Sequence, residues 1–392
     1  MRDVVIVGGA RTAIGTMGGS LQDVHQADLG AVVYAEAVKR SGIALDDVDE
    51  IIVGNVGQVA ESGFLGRMVS IKAGFPLKTT AYAVNRQCGS GLEAINSAVL
   101  QIQSGYADVM VAGGTENMNQ LPYYVRKGRF GYRFGHGQLE DGLLTILTYP
   151  LGPYPNGVTA ENLAKEYGIS RQEQDEWALL TQKRAAKAIE AGKFVDEIVP
   201  VEVRIGKENK AFCVDEHPRI GITMDRLSRL KPAFVEGGTV TPGNSSGIND
   251  GAGAVVLMGR DEALKRGLKP LMKVKSFAVA GCDPATMGYG PVPATKLALK
   301  RAGLSVQDID LIELNEAFAS QTIVGIRELG LDVDKVNVNG GAIALGHPVG
   351  ASGGILTVKL MYEMKRRDVQ FGLVTMCIGG GQGIATIFEN CR

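Results

Sequence analysis

Residues 37–53 read AVKRSGIALDDVDEIIV, and residues 298–314 read ALKRAGLSVQDIDLIEL. Each is a helix-patterned run with a basic end, then a glycine (Gly42, Gly303), a short loop, and Asp-x-Asp before an apolar strand. Glycine just past a helix end supplies a left-handed cap, and a short β-branched run after acidic turn residues predicts a strand. Further along, Val84–Gly91 and Val338–Gly353 are each a strand, a glycine-rich turn and the start of a helix. ADVMVAGGTE, from Ala107, and GLVTMCIGGG, from Gly372, then match as strands ending in paired glycines. Three matches in the same order imply two copies of one α/β unit, facing each other across a pseudo-twofold axis.

The remaining pattern agrees with that reading. Strands are predicted at Val4–Val7, Glu50–Val53, Val109–Ala112, Leu311–Leu314, Lys335–Val338 and Leu373–Met376, and helices at Leu29–Arg40, Gly91–Gln103, Arg171–Ala191, Ala294–Ala302 and Gly353–Arg366. Alternating strands and helices predict an α/β fold with mostly parallel pairing. From about Met118 to Gly247 the pattern changes: Pro, Gly and Tyr become frequent (Tyr149–Gly157), and one long charged helix follows. This stretch reads as a loop-rich insertion into the first half, the kind that carries substrate binding.

Composition excludes several function classes. A formal net charge of −1 leaves no footprint for nucleic acid or an anionic membrane. At 392 residues the chain exceeds what one core supports, so two or more domains are expected. Five scattered cysteines without metal-ligand spacing imply a reducing compartment and no metal. The apolar run at the N-terminus is too short for a secretory signal, and no stretch is long enough to span a bilayer. A cytoplasmic protein is expected. The 53 glycines are clustered, which points to tight turns where backbone approaches a ligand.

Four segments carry chemistry. In NRQCGSGLEA (Asn85–Ala94), Cys88 lies between a strand and a helix. There the helix's positive end and free N–H groups would favour the thiolate. A buried apolar filler is the plainer fate of a free cysteine, and the surrounding glycines argue for substrate approach instead. In VNVNGGAIALGHPVGASGG (Val336–Gly354), His347 is held in a Gly/Pro turn, suited to a base or hydrogen-bond donor rather than a solvated loop residue. In CIGGGQG (Cys377–Gly383), a second cysteine ends a strand and precedes a row of N–H donors able to form an oxyanion hole. No Lys-Ser/Thr follows, which argues against a phosphate loop. In LNEAFASQ (Leu314–Gln321), Asn315 can hold a water and Glu316 can accept a backbone N–H, although both are also common caps.

Together these segments closely resemble the thiolase family, from VVIVGGARTAIG (Val4–Gly15) to the C-terminal CIGGGQG. The resemblance implies the thiolase fold: two similar α/β halves in a five-layered α-β-α-β-α arrangement with an inserted loop domain. Residues 1–117 and 248–268 would form the first half, 118–247 a CoA-binding loop domain, and 269–392 the second half. It implies Cys88 as the acylated nucleophile, His347 as its base, and Cys377 as the second acid/base. Asn315 would orient a water in one oxyanion hole with His347, while the N–H groups of Cys88 and Gly379 would form the other. Arg219, Ser246, Phe318 and Met287 match residues that contact CoA or line the thioester pocket; plain core packing is the competing reading for Phe318 and Met287. The activity implied is acetyl-CoA C-acetyltransferase, a ping-pong Claisen condensation with reverse thiolysis. It needs no cofactor, its partners are acyl-CoA substrates, and the chain would form a homo-oligomer, a dimer or tetramer. Acetoacetyl-specific members carry a His-Met pair where this chain has Pro155-Asn156, so a 3-ketoacyl-CoA thiolase of broader chain length in fatty-acid β-oxidation is the alternative. A decarboxylating ketoacyl-synthase type would put a histidine at Cys377, and a non-catalytic lipid carrier would have no use for Cys88, His347 and Cys377 together.

Overall fold

A computed structural model describes residues 2–152 and 154–391; Pro153, in the Tyr149–Gly157 stretch, lies outside them. The frame is a ten-stranded sheet. Its principal strands are β1 (Val4–Arg11), β2 (Glu50–Gly54), β3 (Thr80–Val84), β4 (Val109–Asn117), β5 (Asn249–Gly259), β6 (Met272–Gly281), β7 (Leu311–Leu314), β8 (Phe371–Ile378) and β9 (Gln382–Asn390). They run in the order β7-β8-β9-β6-β1-β5-β4-β2-β3. Read outward from the junction, β1-β5-β4-β2-β3 and β6-β9-β8-β7 are one topology used twice, joined by β1–β6 pairing over Val5–Lys273 and Ile6–Met272.

The expectation of mostly parallel pairing is wrong. Among these strands, only β2–β3, β2–β4 and β7–β8 pair in parallel. The pairs β1–β5, β4–β5, β1–β6, β6–β9 and β8–β9 are antiparallel. The strands β5, β6 and β9 create all five, and the sequence reading had none of them. Lys335–Val338 is also not a strand: residues 333–335 form a 3-10 turn, and a single bridge, Ile312 to Val336, is all that pairs. The chain leaves the sheet at Asn337, whose φ of 45° is left-handed.

Side-chain alternation along the strands builds three cores. One face of the first half (Val5, Val7, Val111, Val256) packs on α1 (Gln26–Ser41) through Leu29 and Val33. The opposite face (Ile6, Met110, Leu257) meets α2 (Ser90–Ser104) and α7 (Ser352–Arg367), which also pack on Met376, Ile384 and Phe388 of the second half. The far face of that half (Ile312, Leu373, Ile387) is covered by α5 (Pro291–Ala302) and α6 (Ala319–Leu329). The result is helix, sheet, paired helices, sheet, helix, as expected. Glycine lets the two central helices approach backbone to backbone: a Cβ on Gly353 would lie 2.1 Å from Leu92 N, and one on Gly91 would lie 2.8 Å from Gly354 N.

Between β4 and β5 the chain forms α3 (Asn156–Glu166), α4 (Arg171–Glu190) and shorter elements. A fully buried ion cluster ties this stretch to β1: Arg11 binds Glu197 at 2.7 Å and Asp215 at 2.8 Å. Among the described residues no helix is long and apolar enough to cross a membrane.

Candidate active site

The N-termini of α2 and α7 bring two loops together beneath the β8–β9 turn. Cys88 follows Gln87, whose φ of 46° turns the chain sharply from β3 into α2. Gly379-Gly380-Gly381, read as a row of N–H donors, is the turn of the β8–β9 hairpin, with φ of 88° at Gly380 and 86° at Gly381. The N–H of Gly379 lies near the Cys88 thiol and favours its charged form.

The expectation that the helix end would favour a Cys88 thiolate is not met. Burial pushes the thiol up to about 11, outweighing the Gly379 N–H and its own backbone N–H. Resting Cys88 is therefore a neutral thiol. Cys377 is buried as well, and is pushed well above the ordinary thiol range by desolvation and by the neighbouring Cys88 and Cys282.

His347 is 4 % exposed, and burial lowers it to about 4, so its imidazole is neutral near pH 7. Its tautomer follows from its partners. Ser352 donates its one hydroxyl hydrogen to Pro348 O at 2.9 Å, so at 2.6 Å it accepts from Nδ1–H of His347. Nε2 then carries the ring's unprotonated lone pair and lies 3.4 Å from Asn315 Nδ2. The turn itself is held by Asn249 Oδ1, which accepts the His347 backbone N–H at 2.9 Å. Gly346 has a φ of 109°, and a Cβ there would strike Asn249 at 2.6 Å. Three residues after His347, Gly350 donates its N–H to Glu116 (2.8 Å), which also accepts from Val56 (3.0 Å) and Gly57 (2.9 Å). Burial raises this carboxyl to about 7 against those bonds.

Cys88 and His347 line one apolar cavity of about 190 Å³ with Met287, Phe318, Ser246, Phe234, Leu144 and Leu147, and with Pro155, Asn156 and Gly157. Phe318 and Met287 do both things considered for them: they pack in a buried cluster with Cys377 and they line the cleft. Phe234 meets Phe318 edge-on, ring centroids 6.1 Å apart. Arg219 is not in this cleft. It borders a second cavity of about 370 Å³ with Arg226, Arg229 and His217. The segment Pro242–Ile248 borders both spaces. Asn315 lines neither; it faces a small inner chamber. Glu316 does more than cap, because its carboxylate accepts from Trp177, Thr181, Asn337 and the Ile343 N–H, joining α4 to the loop that carries His347. Among the described residues no group of His, Cys, Asp or Glu is arranged to hold a metal ion. Sequence reasoning missed Ser352, Asn249 and Glu116. The only signal for Ser352 was its place five residues after His347 at a helix start.

Comparison with known proteins places this geometry. Residues 4–261 match the family described as "Thiolase, N-terminal domain", and residues 268–390 match "Thiolase, C-terminal domain". The beta-ketothiolase BktB of Cupriavidus necator is 52% identical over 390 residues, 99% of each chain. The acetyl-CoA acetyltransferase of Escherichia coli K12 is 51% identical over 391 residues, again 99% of each. Among solved structures, Bacillus anthracis acetyl-CoA acetyltransferase superposes with a TM-score of 0.98 at 45% identity, covering 100% of this chain and 99% of that one. Human mitochondrial 3-ketoacyl-CoA thiolase gives 0.97 at 44% identity, covering 99% of each.

Proposed function

Because the chain belongs to the thiolase family, we propose that it is an acetyl-CoA C-acetyltransferase, condensing two acetyl-CoA to acetoacetyl-CoA and CoA and running the reverse thiolysis. The observation that carries this reading is Cys88 in one apolar cleft with His347, the Gly379 N–H near its sulfur, and a second buried thiol, Cys377, close enough to feel the charge of Cys88. The chemistry is ping-pong. Nε2 of His347 takes the Cys88 proton as the sulfur attacks the thioester carbonyl. The N–H groups of Cys88 and Gly379 receive the tetrahedral oxygen. The C–S bond to CoA breaks, and the Cys377 thiol protonates the leaving CoA thiolate, leaving acetyl-Cys88, a Cys377 thiolate and an imidazolium. A thiolate whose thiol pKa is raised is a strong base, suited to a methyl proton of the second acetyl-CoA. The enolate oxygen lies at His347 and a water oriented by Asn315. The carbanion attacks acetyl-Cys88, and His347 returns its proton to the departing Cys88 sulfur. No cofactor enters, since both CoA thioesters are substrates.

CoA would lie along Pro242–Ile248, its pantetheine at Ser246 and its adenine end at Arg219. Residues 118–247 would thus act as the CoA-binding domain. A homotetramer is the assembly we propose, on two features: β3 is a largely exposed edge strand, and Tyr123, Phe130, Phe134 and Leu139 are exposed close together in sequence. The free cysteines fit a cytoplasmic setting. A second reading, a 3-ketoacyl-CoA thiolase of fatty-acid metabolism acting on longer chains, is favoured by the Pro155–Gly157 stretch in the apolar cleft. Rates with acetoacetyl-CoA against 3-ketohexanoyl-CoA and 3-ketooctanoyl-CoA separate the two.

Incubation with acetyl-CoA is expected to add one acetyl group, mapping to Cys88, and Cys88→Ser should lower turnover by roughly 10⁴-fold or more. Acetyl on Cys377 with Cys88 unmodified would overturn the assignment.

A further inference from the structure

Beside the catalytic cleft lies a chamber of about 10 Å³, bordered by Asn315, Ser352, Lys359, Gly346, Pro348 and apolar side chains. That is room for about one water. Three polar side chains face it, and their hydrogen bonds can be accounted for one by one. Ser352 gives its one hydrogen to Pro348 O and accepts from His347, so it has no donor left for the chamber. Asn315 is 1 % exposed, and among the described residues its buried Oδ1 has no partner. Turning the amide round does not cure this, because it would set Oδ1 against the lone pair of the unprotonated Nε2 of His347, 3.4 Å away. Lys359, 3 % exposed, donates to Glu313 Oε2 and to Gly340 O, both at 2.9 Å. An ammonium has three N–H bonds, so one remains.

We propose that a single buried water accepts from Lys359 Nζ and donates to Asn315 Oδ1, making Lys359 a positioning residue for the oxyanion side of the site. A bare orphan carbonyl beside an ammonium is costly in a dry interior, and one water with partners on both sides removes that cost. The consequence is electrostatic as well as geometric. A hydrogen bond from a cation-bound water polarises the Asn315 amide, so its NH₂ becomes a stronger and better fixed donor on the side where His347 works. Lys359 stands on α7, the helix that Ser352 begins, so the same helix orients both ring and amide. This inference rests on the proposed role of His347 and Asn315 with the enolate, but the water itself does not.

A crystal structure at about 1.5 Å is expected to show a full-occupancy water within hydrogen-bond distance of both Lys359 Nζ and Asn315 Oδ1; an empty chamber overturns the proposal. For function, Lys359→Met alone would strand the buried Glu313 carboxylate, so the variant is Lys359→Met with Glu313→Leu, which removes both charges at similar volume. It should still acetylate Cys88 at near the parent rate. Exchange of acetyl-CoA methyl protons with deuterated solvent should fall roughly 10- to 100-fold, the usual loss when an outer partner of a functional group is removed. In an Asn315→Ala background the same pair of changes should cost nothing further. Equal losses in both half-reactions, or the same added loss in both backgrounds, would make Lys359 merely structural and overturn the proposal. Failure of the unmodified enzyme to acetylate Cys88 would instead sink the functional reading, with the crystallographic water still deciding the chamber.

Discussion

Two connections occupy equivalent places in the two halves, and they are built in opposite ways. In the first half, β3 pairs along its whole length with β2, from Glu50–Thr80 to Gly54–Val84, and residues 85–89 lead straight into α2. In the second half the matching edge is one bridge, Ile312 to Val336, and residues 337–351 wander before α7 begins. The short version presents the Cys88 thiol at a helix start. The long version surrenders a strand and gains a loop that carries His347 to the same cleft. Both use a non-glycine residue in the left-handed region, Gln87 and Asn337. Asn337 also substitutes for the missing ladder: its side-chain oxygen accepts from Leu314 N at 2.9 Å and its NH₂ donates to Leu314 O at 2.8 Å. A side-chain amide thus does what the next residue of a strand would do. The lesson is that a repeat can be retuned for new chemistry by trading backbone pairing for side-chain anchors.

That trade can be broken. Asn337→Ala should cost on the order of 3 kcal/mol in urea unfolding, because it strands the buried Leu314 N–H and C=O and removes a donor from Glu316. Asn337→Gly keeps the left-handed conformation and loses the same bonds, so it should be nearly as unstable. A near-neutral Asn337→Gly would mean that backbone strain, not the amide anchor, is what the position provides. Gln87→Gly, at the short turn, should change stability by less than about 1 kcal/mol.

A smaller effect sharpens the same contrast through the long loop's carboxylate anchor. Glu363 of α7 accepts from Asn339 at 2.9 Å, from Lys193 at 3.2 Å and from Arg367 at 2.6 Å. Burial alone would raise its carboxyl, but these donors, with Arg366 beside it, lower it from 4.5 to about 2. A depressed folded-state pKa adds stability above the unfolded value, lost as pH falls through the folded one. Glu363→Gln should therefore cost on the order of 2 kcal/mol at pH 7. The gap to the parent should shrink as pH drops from about 4.5 toward 2. A gap independent of pH would show that the carboxylate charge does not hold the loop.

Much of this was legible in the sequence, for physical reasons. Helix caps, Asp-x-Asp turns and glycine clusters are local, so the doubled unit, the central helices and the loops bearing Cys88, His347 and Cys377 could all be read directly. The strands Asn249–Gly259 and Gln382–Asn390 were hidden by their glycines, which resemble loop. The reason for one of those glycines is tertiary: a Cβ on Gly253 would lie 2.5 Å from Ile355 N, where α7 packs on the strand. Lys335–Val338 has strand composition, yet Asn337 turns it off the sheet. The Cys88 thiol was misjudged because a helix start favours the thiolate locally while burial, a property of the whole fold, opposes it more strongly. Ser352, Asn249 and Lys359 matter through partners far away in sequence or hidden in a cavity, and no spacing announces them.

The central claim is a division of labour between two buried thiols, and Cys377→Ala tests it most directly. Acylation needs a nucleophile, its base and a hole for the tetrahedral oxygen, all still present in this variant. Deprotonating a thioester methyl group needs a base held at that carbon. Intact-protein mass spectrometry after acetyl-CoA is expected to show acetyl-Cys88, while methyl-proton exchange and condensation fall by roughly 10²- to 10⁴-fold. Exchange and condensation near the parent rate would contradict the account, leaving Cys377 a packed cysteine at the end of β8.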